Sequence, residues 1–446
     1  MIKVFKFGGA SVRDAAAVRN VAAIVKRHVA GNRLLIVVSA MGKTTNALEH
    51  LYDTHVRSGA TDVSAEARAQ VAALKAFHLE IARELFGDDR HPVFALLDNV
   101  FARLAADAAA QAGVTNYDQG YDQIVSYGEI ISSHIVAHLL AHEGLPARWI
   151  DARQYIQTDT TWREARVDWP WTERQVQRRL LPLLDEHVLL TQGFIGGTVD
   201  GRTTTLGREG SDFTAAVYAY ALPAASVTIW KDVPGILNGD PKRVRQTYLY
   251  PQLSYEQAAE MTYYGATVIH PKTIRPLKSR GIPLYVRSFL DADAPGTCIS
   301  TEAPEQMRPA IIFKPRQRVV SFGVRDLTFV SEHNLFDILN AVARLNLRIN
   351  LMQNSAISYL VSFDDHPRKL PELLDILREQ FEIEVSDEML LITIKHYDLP
   401  TIEQIMWGRR VAVEQNTGYT YQAVVPVSDK TTGNAAIPLF DWKPIG

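Results

Sequence analysis

The sequence predicts an α/β protein built on a mostly parallel sheet, followed by units of ferredoxin-like order. Three observations predict it. From about residue 1 to 300, short apolar strands alternate with amphipathic helices, the pattern of a parallel layer covered by helices. Polar or glycine-rich loops close the strands of that region, which is where open α/β sheets place their ligands. At TEAPEQMRP, Thr301 to Pro309, two prolines and several polar residues break the pattern. Beyond that break the order becomes strand, helix, strand, strand, helix, strand.

IKVFKF, after Met1, is a strand entering the glycine loop KFGGAS (Lys6 to Ser11) and then a helical pattern. RLLIVVSAM (Arg33 to Met41) is a buried strand, and residues 60 to 112, rich in alanine and leucine at helical spacing, read as a helical insertion able to fold over a cleft. VLLTQGFIGG (Val188 to Gly197), ASVTIWKDV (Ala225 to Val233) and GIPLYVRSF (Gly281 to Phe289) repeat the strand form. In the tail, VVSFGVRD, a helix from about Asn334 to Leu345, RINLMQ, ISYLVSF, a helix from about Lys369 to Gln380 and FEIEVS make one unit. MLLITIKH, a brief helix near Thr401 to Met406, RVAVEQ and TYQAVVP make a shorter echo. The expected division is 1–300, a linker at 301–316, a first tail unit at 317–388 and a shortened second at 389–446.

At 446 residues the chain is long enough for two or three domains with sizeable cores. A net charge of −3 and a pI near 6.5 give no electrostatic reason to expect nucleic acid or an anionic membrane as partner. Small polar ligands fit better. Cys298 is the sole cysteine, which excludes an intrachain disulfide and agrees with a reducing compartment. Met1 leads directly into a strand and the longest apolar runs fall short of a bilayer span, so a soluble, cytoplasmic protein is expected.

TTLGREGSD (Thr204 to Asp212) sets an arginine, carboxylates and hydroxyls around two glycines before an apolar helical run. Glycines let backbone N–H groups approach a ligand, and arginine meets carboxylate or phosphate oxygens. With the Lys6 loop it makes two strand–loop–helix anion sites, which suggest phosphate chemistry. MGKTT (Met41 to Thr45) is not a P-loop, since Val37 stands where that motif needs glycine; it leaves Ser39, Lys43, Thr44 and Thr45 as ligand contacts or a solvated turn. His134, His138 and His142 share a helix face, but the apolar residues between them read as a packed helix, and no metal site is expected. Glu129, in SYGEIISS, sits at a helix start where a negative side chain is favoured and can bind an ammonium. WKDVPGILNGDPKRV (Trp230 to Val244) packs two aspartate turns after a strand, with Lys231 and Lys242 in reach of a nucleotide or the whole acting as structural turns.

Together these segments resemble the aspartate kinase family. VFKFGGASV is similar to its lysine–glycine loop, SYGEIISS to its carboxylate helix, QGFIG and TTLGREGSD to its substrate loops and WKDVPGILNGDP to its nucleotide loop, with EMTYYGATVIHPKT and GTCIS completing the match. The resemblance implies a three-layer α/β/α amino-acid-kinase sandwich, followed by paired ACT domains, the ferredoxin-like regulatory modules of the family. It implies phosphorylation of the L-aspartate side chain by MgATP, with ATP and Mg2+ as cofactors. By motif match Lys6 stabilises the transferred phosphoryl group and Gly8 and Gly9 supply backbone donors to the phosphates. Arg208 clamps a substrate carboxylate, and Glu129 holds the ammonium. Ser39, Thr45, Phe194, Ser211 and Asp212 complete the substrate pocket or order the lysine, Asp212 being also read as the opposite-charge partner of Arg208 for a zwitterion. Lys231, Asp232, Asp240 and Lys242 line the nucleotide. A homodimer through the ACT domains and a lysine or threonine effector are also implied.

Three departures stand out. Glu209 replaces a frequent glycine and is expected to face solvent or pair with a cation. Thr267 and Leu237 replace a frequent lysine and tyrosine, with Lys231 as the compensating cation. The C-terminal echo lacks the usual glycine-rich turn, which weakens the effector expectation. The alternatives are a related kinase of another amino-acid carboxylate, such as N-acetylglutamate, and an inactive amino-acid-binding regulator.

Overall fold

The computed structural model describes residues 1–58, 65–111, 116–265, 269–304, 307–325 and 329–427. They form two compact units. The first comprises Met1–Ile236, Pro251–Ala259 and Ile269–Ala303; the second comprises the described residues of Leu237–Tyr250, Glu260–Val268 and Pro304–Gly446.

In the first unit, β1 (Ile2–Phe7), α1 (Ala15–Val29) and β2 (Arg33–Val38) open the chain, followed by α2 (Thr44–Ser58), α3 (Ala65–Phe86), α4 (Pro92–Ala110), α5 (Tyr117–Val125) and α6 (Tyr127–His142). β3 (Ala147–Ile150), α7 (Trp169–Arg179), β4 (Val188–Gln192), β5 (Ile195–Gly197), β6 (Thr203–Thr205), α8 (Gly210–Ala221) and β7 (Ser226–Lys231) come next, then β8 (Gln252–Ser254), the start of α9 (Tyr255–Tyr264), whose residues from Glu260 on fall in the second unit, α10 (Pro271–Arg280), β9 (Leu284–Ser288) and β10 (Thr297–Ser300). The described strands make an eight-stranded sheet of order β3-β4-β2-β1-β7-β9-β10-β8. It is parallel except where β10 meets β9. The central strands are apolar on both faces, as a sheet covered twice by helices requires.

The alanine-rich insertion is built into the main core. Val71, Leu74 and Ile81 of α3 and Leu97, Phe101 and Leu104 of α4 share a cluster with α1 and α6. The run Tyr117–His142 is long and apolar enough by composition to cross a membrane, which corrects the expectation that every apolar run is too short. Of its most apolar stretch 83% is buried inside the protein, as expected of a core helix. His134 stacks on Trp149 at 4.1 Å and His138 packs near His91 at 5.5 Å. Among the described residues no three His, Cys, Asp or Glu side chains converge to hold a metal ion.

The second unit is a six-stranded antiparallel sheet of order β12-β13-β11-β14-β16-β15. Its strands are β11 (Ala310–Val324), β12 (Ile349–Asn354), β13 (Ser358–Asp364), β14 (Phe381–Lys395), β15 (Val413–Thr417) and β16 (Thr420–Pro426), with α11 (Glu332–Arg344), α12 (Lys369–Leu377) and α13 (Leu399–Met406) between them. Both ferredoxin-like orders are present, but FEIEVS and MLLITIKH, read from sequence as separate strands, are one 15-residue strand. Residues 310–316, read as linker, begin β11. Pro315 falls at a register shift between Lys314 and Gln317, the kind of position where a strand tolerates a residue without an N–H.

Candidate active site

Strand alternation divides β1 between two faces. Phe5 and Phe7 enter the core with α1, where Phe7 stacks on Trp230 at 6.0 Å. Lys6 points the other way, toward the first turn of α8. There its Nζ lies 2.6 Å from Asp212 Oδ1, with Lys6 8% and Asp212 2% exposed. Lys231, at the end of neighbouring β7, brings its Nζ to 3.5 Å from Asp212 Oδ2. Burial pushes the Asp212 carboxyl up, but the attraction of Lys6 and then of Lys231 outweighs it and holds the group below the ordinary carboxylate range. The N-terminus of α8 favours the same charge.

Close packing of glycines sets where α8 begins. A side chain on Gly193, just after β4, would meet Ser211 Cβ at 2.5 Å, and one on Gly210 would meet Phe194 Cδ2 at 2.6 Å. Thr214 Oγ1 donates to Gly210 O and accepts from Phe194 N, both at 2.9 Å. The loop before the helix is held from outside by Lys272, whose Nζ donates to Leu206 O at 2.8 Å.

Glu129, in the first turn of α6, is 3% exposed. Its Oε1 accepts from Ala40 N at 3.2 Å, while Oε2 is buried with no hydrogen-bond partner among the described residues. Burial raises its carboxyl to about 8, against the opposing pull of the Ala40 N–H and Lys6. The preceding Gly128 permits this approach, since a Cβ there would lie 2.8 Å from Ala40 Cβ.

These groups meet at a cavity of about 770 Å³ at the carboxyl ends of β1, β2, β4 and β7. Arg208 lines it, exposed and without an ion-pair partner among the described residues. One cavity thus holds two lysines gathered on one carboxylate, an uncommitted guanidinium and an orphaned carboxylate oxygen, a set able to take both anionic and ammonium groups.

The amino acid kinase family model matches residues 1–288. The chain is 34% identical over 367 residues to the lysine-sensitive aspartokinase 3 of Escherichia coli, covering 81% of this chain and 78% of that one. The chain belongs to the amino acid kinase family, among the aspartokinases. It is also 33% identical over 302 residues to the chloroplastic bifunctional aspartokinase/homoserine dehydrogenase 2 of Arabidopsis thaliana, covering 67% of this chain but only 32% of that protein's length. The crystal structure of E. coli aspartokinase III in complex with aspartate and ADP aligns with a TM-score of 0.78 and 28% identity over 96% of each chain.

In this aspartokinase Lys6, Gly9, Ser39, Thr45, Glu129, Phe194, Arg208, Ser211, Asp212 and Lys231 all line the one cavity. Gly8 does not line it but lies beneath the lysine, where a Cβ would be 3.4 Å from Lys6 Nζ. Thr44 is taken by structure, donating to Met41 O at 2.7 Å, and Lys43 is exposed away from the cavity. Asp232 is exposed outside the lining. Asp240 and Lys242 belong to the second unit, where Asp240 Oδ1 accepts from Lys242 N at 2.9 Å and closes a turn. Thr267 lies outside the described residues.

Two readings are corrected. Asp212 is not the counter-charge for a substrate ammonium, because its two oxygens face Lys6 and Lys231. Glu209 does not turn wholly to solvent or pair with a cation among the described residues: it is half-buried and lines the cavity, and its Oε2 is buried with no hydrogen-bond partner among those residues. Its φ of 54° is the left-handed conformation that glycine adopts freely. Sequence reasoning also missed Asp122, Arg163, Glu164 and Lys272. Only HPKT, within the matched segment, pointed toward any of them.

Proposed function

We propose that the chain transfers the γ-phosphoryl group of ATP to the side-chain carboxylate of L-aspartate, giving 4-phospho-L-aspartate and ADP, the first step toward lysine, threonine and methionine. The pairing of Lys6 and Lys231 on Asp212 beside Arg208 and the orphaned Glu129 oxygen carries this reading. The nucleophile needs no base, since an aspartate carboxylate with an ordinary pKa of about 3.9 is ionised at neutral pH. One carboxylate oxygen attacks the γ-phosphorus as the bond to the β–γ bridging oxygen breaks, and the electron pair leaves on ADP. Catalysis then rests on alignment and on neutralising charge. Lys6 is held rigidly for that purpose, Arg208 grips the substrate α-carboxylate, and Glu129 Oε2 receives the ammonium. An acetylated amine would leave that oxygen unpaired, which disfavours the N-acetylglutamate alternative.

The described residues offer no metal cage of their own. That suits a Mg2+ carried in on the nucleotide phosphates, since Mg2+ in kinases is held largely by phosphate and water; bound there it would neutralise phosphate charge. Asp232 is proposed to approach the nucleotide, and Gly9 to donate its N–H to phosphate.

For the second unit we propose ACT modules that pair with a second copy of the chain and take an amino-acid effector, working in the cytoplasm. Support for the effector comes from the E. coli relative, named lysine-sensitive and solved in complex with lysine and aspartate. The boundaries proposed are 1–300, 301–316, 317–388 and 389–446, with the linker's later residues in β11 and the 388/389 boundary inside β14. A hydroxamate assay with ATP, Mg2+ and a panel of carboxylic amino acids, with and without millimolar lysine and threonine, tests the whole reading. Product is expected from L-aspartate alone. Product from N-acetylglutamate, or none at all, would overturn the assignment, and insensitivity to both effectors would remove the regulatory part.

A further inference from the structure

Asp122, on α5, is fully buried and touches none of the groups assigned to substrate. Its Oδ1 accepts from Thr205 Oγ1 at 2.7 Å and its Oδ2 from Thr205 N at 2.9 Å. Arg163 N donates to both oxygens, at 3.2 and 3.0 Å. Thr205 ends β6, three residues before Arg208, and Arg163 precedes Glu164, which lines the cavity. A single carboxylate therefore fastens two cavity-lining segments.

The segments also lie against each other. Ala165 N donates to Thr205 O at 3.0 Å, and a side chain on Gly207 would meet Glu164 Cγ at 2.9 Å and Arg163 O at 3.0 Å. Arg163 adopts φ 66°, a strained conformation for a residue with a side chain, and its guanidinium sits 4.2 Å from the centre of the Tyr121 ring and 3.5 Å from Asp118 Oδ1. Gln123, next to Asp122, exchanges hydrogen bonds with the backbone of Thr203 at 2.6 and 3.2 Å. One face of α5 thus grips β6 and the 163–165 segment together.

We propose that Asp122 is a positioning residue of the active site, setting the Arg208 loop against the Glu164 segment and so setting affinity for the amino-acid substrate. The inference rests on the aspartate kinase reading above. Burial pushes the Asp122 carboxyl up to about 6, against the opposing donors of Thr205 and Arg163 and the Arg163 charge. The charged or titratable groups around it are Asp118 and Tyr121 of α5, Arg163 and Glu164 of the 163–165 segment, and Glu49 of α2, 3.8 Å from the Arg163 guanidinium. A protonated Asp122 can turn its O–H to Thr205 Oγ1 and go on accepting from both backbone N–H groups, so the clamp does not depend on the charge.

Steady-state kinetics of Asp122→Ala and Asp122→Asn at pH 8 test this. The alanine variant removes the clamp and should raise KM for aspartate about tenfold or more while changing KM for ATP less than about threefold. The asparagine variant can keep an acceptor for the backbone donors and turn its NH2 to Thr205 Oγ1. It should restore a near-native KM at pH 8. A native KM in the alanine variant, or failure of asparagine to restore KM, would overturn the inference alone. A wild-type protein unable to phosphorylate aspartate would overturn the functional reading and this inference with it.

Discussion

Lys6 Nζ lies 2.6 Å from Asp212 Oδ1, a buried ion pair joining the end of a central strand to the first turn of a helix. The pair is shared, because Lys231 reaches the other oxygen at 3.5 Å. Removing the carboxylate would leave two lysines facing each other in a sheltered site. Asp212→Asn should cost roughly 3–5 kcal/mol, the usual penalty for breaking a buried pair, measured by urea denaturation at pH 7. Because the folded carboxyl is held below its ordinary 3.8, the stabilisation is present above that value and is lost as pH falls through the folded one. Native stability in the variant would show that Asp212 is not what orders the lysines.

Glu129 carries a testable proton. With its carboxyl raised to about 8, it holds a proton at pH 7 in the ligand-free cavity and must lose it to receive an ammonium. Aspartate binding should therefore release close to one proton at pH 7, and affinity should rise with pH until about 8 and then level off. Calorimetry in two buffers of different ionisation enthalpy reads this directly. Glu129→Gln should abolish the release; binding without proton exchange in the native protein would remove Glu129 from the ammonium site.

Arg208 has no competing ion-pair partner among the described residues, so its charge is available to substrate. Arg208→Ala should raise KM for aspartate about 10- to 150-fold, corresponding to about 1.5–3 kcal/mol for hydrogen bonds to a charged group, with KM for ATP little changed. An equal rise in both constants would place Arg208 on the phosphates instead.

Glu209 is the residue most at odds with its surroundings, a carboxylate in a left-handed conformation lining a cavity for anions. Glu209→Gly relieves a backbone cost of about 1–2 kcal/mol while adding unfolded-chain freedom of comparable size, so stability should change by less than about 1 kcal/mol. Removing the charge should lower KM for aspartate several-fold, most clearly at low salt. A KM raised tenfold would instead make Glu209 a binding group.

The buried strands were legible because a sheet covered on both faces needs continuous apolar runs, and RLLIVV and VLLTQ are such runs. Lys6, Glu129 and Arg208 were legible through motifs next to those strands. Partners distant in sequence were not. Asp122 acts on Thr205, 83 residues away, and Lys272 on Leu206, 66 residues away, and neither stands in a local pattern that names its partner. The role of Asp212 was open for the same reason, since sequence does not say which cations reach it. In the tail, Asp387 and Glu388 read as a break between two strands. β14 instead runs through them, with Glu388 at φ 53° absorbing the irregularity.

The most direct measurement is aspartate-dependent ADP release by Lys6→Ala beside the native protein. A lysine fixed by Asp212 to stabilise the transferred phosphoryl group should, when removed, lower kcat by about 10²- to 10³-fold, the scale of one lost transition-state donor, while KM for aspartate stays within about threefold. A kcat within tenfold of native would contradict the assignment of Lys6 to the phosphoryl group.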